Sequence, residues 1–149
     1  MSPRPLTLPT GFIPPCLPIA APGAPSGNQW LHEIKHDGIR VIARKQGNRV
    51  KLYSRPGNDL TQRFPLIVEA LAHLRSRSCI LDGEAVACGD EGIAVFELIR
   101  RWRNGGSAFM YAFDLIELNG DDLRRESLEG RKRALERLLV RCWVWCAAQ

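Results

Sequence analysis

The stretch "WLHEIKHDGIR", residues 30–40, sets Lys35 between two acids, Glu33 and Asp37, with Arg40 close behind. A primary amine in that setting has two uses. It is a charge on a strand edge, or it is a nucleophile that carries a group covalently. Three more stretches gather acidic, basic and aromatic side chains: "YSRPGND", "ILDGEAV" and "YAFDLIELNG". Each alone is a weak signal, because "LDGE" fits any strand with a turn. The charge distribution adds to them. Residues 30–63 hold eight basic side chains (Lys35, Arg40, Arg44, Lys45, Arg49, Lys51, Arg55, Arg63) against three acidic ones (Glu33, Asp37, Asp59), so the whole net charge of +5 is concentrated there. Positive charge gathered in one segment is the footprint of a phosphate ligand. The competing explanation is a solvated strand face.

These residues need elements to position them. Residues 1–29 are rich in Pro, Ala and Gly and read as an extended arm. From Trp30 the pattern predicts strands in "WLHEIK", "IRVIARK" and "RVKLYSR", joined by turns at "HDG" and "QGN", with Gly38 and Gly47 supplying positive φ. Val50, Leu52 and Ser54 share a face of the third. "TQRFPLIVEALAHLRSR" has helical spacing at Leu66, Ile67, Ala70, Leu71 and Leu74, with Pro65 in the first turn. "CILDGEAVACG" reads as a strand interrupted at Asp82-Gly83, and "GIAVFELIRRW" as a short helix. "SAFMYAFDLIELNG" reads as a long buried strand ending in an Asn-Gly turn. "SLEGRKRALERLL" is an amphipathic helix with Leu128, Ala134, Leu135, Leu138 and Leu139 apolar. The tail, residues 140–149, reads either as a last helical turn or as a chance sequence.

The bulk numbers narrow the classes. A chain of 149 residues, 45% hydrophobic and 25% charged, suits one globular domain. No apolar run reaches the ~20 residues of a membrane span, and prolines break any signal-peptide core, so a cytoplasmic protein with no membrane partner is expected. Five cysteines (Cys16, Cys79, Cys88, Cys142, Cys146) form no CxxC, and His32, His36 and His73 complete no zinc site. Reduced thiols are expected.

In order and at these separations, "EIKHDGIR", "YSRPGND", "ILDGEAV" and "YAFDLIELNG" resemble the nucleotidyltransferase domain of ATP-dependent DNA ligases, and most closely the bacterial ligases of the end-joining type. The resemblance runs from about Phe12 to about Leu139, and residues 30–139 correspond to the N-terminal part of the adenylation domain. It implies an α+β fold of antiparallel sheets flanked by helices. It implies that Lys35, the lysine of Lys-x-Asp-Gly, attacks the α-phosphate of ATP to form lysyl-AMP, before AMP passes to the 5′-phosphate of nicked or broken double-stranded DNA. Glu33 and Ile34 fall where the family recognises adenine. Asp37 orients the turn or contacts the nucleotide, Arg40 meets the sugar, and Arg55 grips sugar or phosphate. Phe113 stacks on the purine. Glu84 lies near the ribose and, with Asp82 on the same strand face, near Mg²⁺ or Mn²⁺. An ordinary lysine, with a pKa of about 10.4, is protonated at neutral pH, so nearby cations such as Arg40 are expected to favour the neutral, attacking amine.

The sequence departs from the family in places. Pro56 stands where asparagine is usual, and Ile39 where an aromatic is common. The family's later Glu-Gly-containing and Lys-x-Lys motifs have no counterpart after Leu139, so a domain incomplete at its C-terminal side is expected, with impaired nick sealing. A non-catalytic remnant that binds ATP or DNA weakly is one alternative. An RNA ligase or a capping-type nucleotidyltransferase is another. The sequence names no end-joining partner protein.

Overall fold

The computed structural model describes residues 10–89, 91, 93, 95–101, 107–140, 142 and 145–146. Two neighbouring strands, β1 (Ile39–Gln46) and β2 (Arg49–Ser54), form a hairpin. Its two-residue loop opens on Gly47 at φ 60°, a conformation that glycine adopts without steric cost. Helix α1 (Pro65–Ala72) carries its proline in the first turn, where no N–H is needed. Strand β3 (Ser78–Val86) returns antiparallel to β1. Helix α2 (Phe96–Arg101) leads to β4 (Phe109–Leu118), antiparallel to β3. Asn119 and Gly120, both at positive φ, then turn the chain into β5 (Asp121–Asp122). Ser127 caps helix α3 (Leu128–Leu139) by accepting from the Gly130 N–H. The short β6 (Trp145–Cys146) pairs parallel to β4. The strand order is β2-β1-β3-β4-β5, so the architecture is an antiparallel sheet with helices packed on it, as the α+β expectation held.

Alternation along the strands separates two faces. Val41, Ala43, Leu52, Leu81, Ala85, Met110 and Leu115 pack with Phe64, Ile67, Leu71, Ile99, Leu135 and Leu139 in one buried cluster, which places the helices on that side. Each large side chain buried there contributes about 1.5–3 kcal/mol. The opposite face carries Arg40, Ile42, Asp82 and Glu84. Only part of it is apolar: Ile42 and Ile80 are covered by Ile13 of the arm, with Phe12 resting against Tyr53.

Three expectations change. Residues 30–37 form no strand, because no described strand lies beside them to pair with; Trp30, Leu31 and Ile34 are exposed. The three-strand meander is therefore a two-strand hairpin. Gly38 is not at positive φ; glycine is needed there because a Cβ would sit 2.1 Å from the Ala85 carbonyl oxygen. Strand β3 runs unbroken through Asp82-Gly83, and the irregularity lies across from it: the β3–β4 register skips Phe113 and Ile116, two bulges in β4. Of the tail, Cys142 packs on the core and the Trp145–Cys146 backbone is strand; residues 141, 143, 144 and 147–149 fall outside the described residues, as do 1–9 of the arm.

A Cβ at Gly83 would lie 2.4 Å from the Tyr111 carbonyl oxygen, whereas at Gly89 the nearest atom is 3.7 Å away. Gly83→Ala is expected to cost about 1–3 kcal/mol in urea unfolding, and Gly89→Ala within about 0.5 kcal/mol of zero.

Candidate active site

The register places the chemistry-bearing residues in a band across the face away from the helices. Arg40 of β1 stands opposite Glu84 of β3, and Glu84 opposite Tyr111 of β4. Ser54 pairs with Val41, so Arg55, one residue past β2, comes to the same end of the sheet as Arg40. Arg40 and Asp82 form a two-pronged ion pair: Nε donates to Oδ1 at 2.6 Å and Nη2 to Oδ2 at 2.7 Å. The arm adds a third contact, with Arg40 Nη2 donating to the Cys16 carbonyl at 3.1 Å. The Arg40 guanidinium also lies 4.8 Å from the Phe113 ring centre, a cation–π arrangement.

Burial dominates the carboxylates. It pushes both Asp82 and Glu84 above the ordinary carboxylate range; Arg40 pulls Asp82 back, while the Gly38 N–H, Arg40 and Lys35 pull Glu84 back. The Gly38 N–H donates to Glu84 Oε1 at 3.1 Å, and this bond ties the Lys-x-Asp-Gly segment to the Asp-Gly-Glu strand.

A second tie is aromatic. The His36 ring stacks on Tyr111 with centroids 3.8 Å apart and planes 5° from parallel. Lys132, from α3, makes a third: its ammonium pairs with Glu33 and donates to the Phe113 carbonyl. Lys35 lies between these anchors in an exposed, irregular stretch.

The sequence-predicted residues thus separate into groups. Glu33, Arg40, Asp82, Glu84 and Phe113 are brought together by direct contacts among themselves or through Gly38 and Lys132. Ile34 is 73% exposed, and Asp37 is exposed with no hydrogen bond among the described residues, so no side-chain bond from Asp37 orients the turn. Arg55 is exposed on its loop. That loop closes with the Gly57 N–H on the Ser54 carbonyl and the Asn58 N–H on Ser54 Oγ, so the donor missing at Pro56 is not needed. Asp82 was expected beside a metal, yet both its oxygens are engaged by Arg40.

His36, Tyr111 and Lys132 were missed in the sequence. Tyr111 lies two residues before Phe113. Lys132 sits on the helical stripe of Leu135 and Leu139, a charge at a core position, and is 8% exposed. A cavity of about 980 Å³ lies elsewhere, between α1, α3 and the start of β4, lined among others by Leu66, Leu74, Phe109 and Leu138. It contains none of the predicted site residues. The geometry of the band outweighs cavity size as a guide to the chemistry, because Arg40, Asp82, Glu84 and the Lys-x-Asp-Gly segment converge there.

Arg40→Met would strand the Asp82 carboxylate, which is 6% exposed. The expected loss is about 3 kcal/mol near neutral pH, with partial recovery in Arg40→Met/Asp82→Asn. A raised carboxyl pKa makes the folded variant hold its proton longer than the unfolded chain does. The stability of Arg40→Met should therefore fall as pH climbs above the ordinary aspartate value of 3.8, and chemical denaturation across that range checks the sign.

The family model described as the ATP dependent DNA ligase domain matches residues 23–142. The multifunctional non-homologous end joining protein LigD of Pseudomonas aeruginosa is 38% identical over 118 residues, covering 77% of this chain and 14% of that protein. A DNA ligase of Methanothrix thermoacetophila is 37% identical over 115 residues, covering 69% of this chain and 21% of that protein. The crystal structure of the ligase domain of M. tuberculosis LigD matches with a TM-score of 0.70 at 29% identity, covering 77% of this chain and 38% of that one. A mycobacterial DNA ligase D complexed with ATP and MES matches with a TM-score of 0.66 at 28% identity. The chain therefore spans less than a quarter of these two full-length relatives, and within that span it belongs to the ATP-dependent DNA ligase domain family.

Proposed function

We propose that this segment binds ATP on the open face of its sheet and accepts AMP on Lys35, the first step in sealing nicked or broken double-stranded DNA. The observation that carries the reading is the Gly38–Glu84 hydrogen bond, which brings the segment holding the amine over the strand holding the carboxylate. In this reading the Lys35 Nζ lone pair attacks the α-phosphorus. The bond from that phosphorus to the pyrophosphate oxygen breaks, a P–N bond forms, and the amine proton leaves to solvent. The bond formed is labile enough to pass AMP onward, which divides one difficult step into easier ones.

The other residues position the nucleotide. Glu33 and the Ile34 backbone meet the adenine, and Phe113 offers its ring to the purine. Arg40 and Arg55 supply planar donors to sugar and phosphate oxygens. Asp37 lies on the nucleotide side of the turn. Among the described residues no three of His, Cys, Asp or Glu converge as a metal-binding group, which is no obstacle to Mg²⁺, since that ion keeps much of its water. Glu84 fits it: Oε1 is taken by Gly38, and Oε2 makes no hydrogen bond among the described residues. Bound Mg²⁺ or Mn²⁺ supplies charge neutralisation of the phosphates. Asp82 serves this site through Arg40; a metal role for it would require giving up that pair.

The matching P. aeruginosa protein is named for non-homologous end joining, and we extend repair and recombination of broken DNA to this chain on that basis. Arg49 on β2 and Arg55 on the following loop are exposed and suit a polyanion, whereas Lys45 is buried and Arg40 and Lys51 are paired with carboxylates. No helix among the described residues is long and apolar enough to cross a membrane, and a cytoplasmic setting with ATP and DNA accompanies the reading.

Incubation with α-labelled ATP and Mg²⁺ tests the proposal. Covalent label is expected on the wild-type chain and is expected to fall more than about a thousandfold in Lys35→Ala. Folded wild-type protein that takes no label would favour the non-catalytic reading. Label that persists in Lys35→Ala would remove the assigned nucleophile.

A further inference from the structure

Lys132 is 8% exposed, and an ammonium is seldom buried without partners that hold it. Its place in α3 is that of a core residue, on the stripe continued by Leu135 and Leu139. Two of its contacts are specific. One is to the Phe113 carbonyl. The register of β3 on β4 skips Phe113, and neither β5 nor β6 pairs there among the described residues, so this carbonyl has no ladder partner among them. The other contact is to the Glu33 carboxylate, in the irregular segment that carries Lys35. A single buried cation thus joins the helix, the bulge that displays Phe113 and the segment that displays Glu33.

The packing of a bulge does not require the second contact. The carbonyl alone would accept from a lysine whose charge faced solvent. Instead the Glu33 carboxylate, on a side chain still 37% exposed, meets the ammonium from within a stretch that no strand pairing holds. With one carboxylate oxygen held by the ammonium, the other is fixed in direction as an acceptor. A fixed acceptor welcomes a base with an exocyclic amine and opposes one that presents a carbonyl oxygen there.

We propose that Lys132 is a positioning residue for the nucleobase: it holds Glu33 and the Phe113 backbone in mutual register, and so sets the preference for an amino-purine over a keto-purine nucleotide. This rests on the nucleotide site proposed above, and it adds a residue outside the nucleotide's own contacts. Lys132 touches no reacting atom in this arrangement. Its effect passes through Glu33 and Phe113.

The test compares the full chain with Lys132→Arg, Lys132→Met, Glu33→Gln and the double variant Lys132→Met/Glu33→Gln. Rates of label transfer are measured against concentration for α-labelled ATP and for α-labelled inosine triphosphate, which carries a carbonyl in place of the amine. Lys132→Met is expected to raise KM for ATP about tenfold, with kcat within about twofold, and to lower the ATP-to-inosine-triphosphate preference by a similar factor. Lys132→Arg restores most of both, since it retains the buried donor. The double variant is no worse than Glu33→Gln alone, because Lys132 acts on the base through Glu33. A folded Lys132→Met with wild-type KM and wild-type preference overturns the proposal, as do multiplicative losses in the double variant. Should Lys132→Met fail to fold, Lys132→Gln, which keeps a donor for the Phe113 carbonyl and removes the charge that faces Glu33, carries the same comparison.

A second readout needs no adenylation. Trypsin cleavage after Lys35 is expected to quicken about tenfold in Lys132→Met and Glu33→Gln as the segment loses its tether. Unchanged cleavage overturns the tether. If the wild-type chain takes no label while cleavage responds as expected, the nucleotide reading has failed, and with it the base-preference role, while the tether stands.

Discussion

A charge pair on the middle strands constrains the rest of the molecule. Asp82 sits on β3, nearly out of water, where a lone carboxylate would be costly. Arg40, on the neighbouring strand, meets it with two parallel hydrogen bonds, the geometry in which a guanidinium serves a carboxylate best. That commitment fixes much else. It lays the guanidinium against Phe113, brings the arm's Cys16 carbonyl to the same head group, and leaves Glu84 as the carboxylate on that face with an oxygen still open.

The two sides of the sheet then divide the work. The helix side is apolar and closed by Phe64, Leu71, Leu135 and their neighbours, and it supplies the burial energy. Among the described residues, the other side is sealed at the end covered by Phe12 and Ile13. The remainder carries charge and aromatic rings. A segment without strand pairing crosses it, held at Glu33, His36 and Gly38. Lys35 is therefore placed by its neighbours' contacts, while its own side chain stays exposed. That suits the role proposed for Lys35, taking a group from one substrate and releasing it to a second.

Much of this was legible in the sequence because it follows from local rules. The alternation in Arg49–Ser54, the proline at the start of α1 and the Asn119-Gly120 turn all act within a few residues, and the structure has each. The expected strand at residues 30–37 failed because a strand needs a neighbour, and pairing is not written in the segment itself. Gly38 was read as a turn glycine, but its reason is a close approach to Ala85, a residue far along the chain. Within the site, residue types were readable and commitments were not. Asp82 looked like a metal ligand until its partner was visible. Lys132 looked like one more charge on a helix, although its spacing with Leu135 and Leu139 marked it as misplaced on the polar side.

The central claim is that the nucleotide belongs to the open face and not to the roomier apolar cavity beneath the helices. Titrating isotope-labelled chain with ATP and Mg²⁺ and following backbone amide shifts tests it most directly. The account predicts the largest shifts at residues 33–40, 82–84 and 111–113, with the cavity-lining residues of α1 and α3 nearly still. Shifts centred instead on Leu66, Leu74 and Leu138, with Gly38 and Glu84 unmoved, would contradict it.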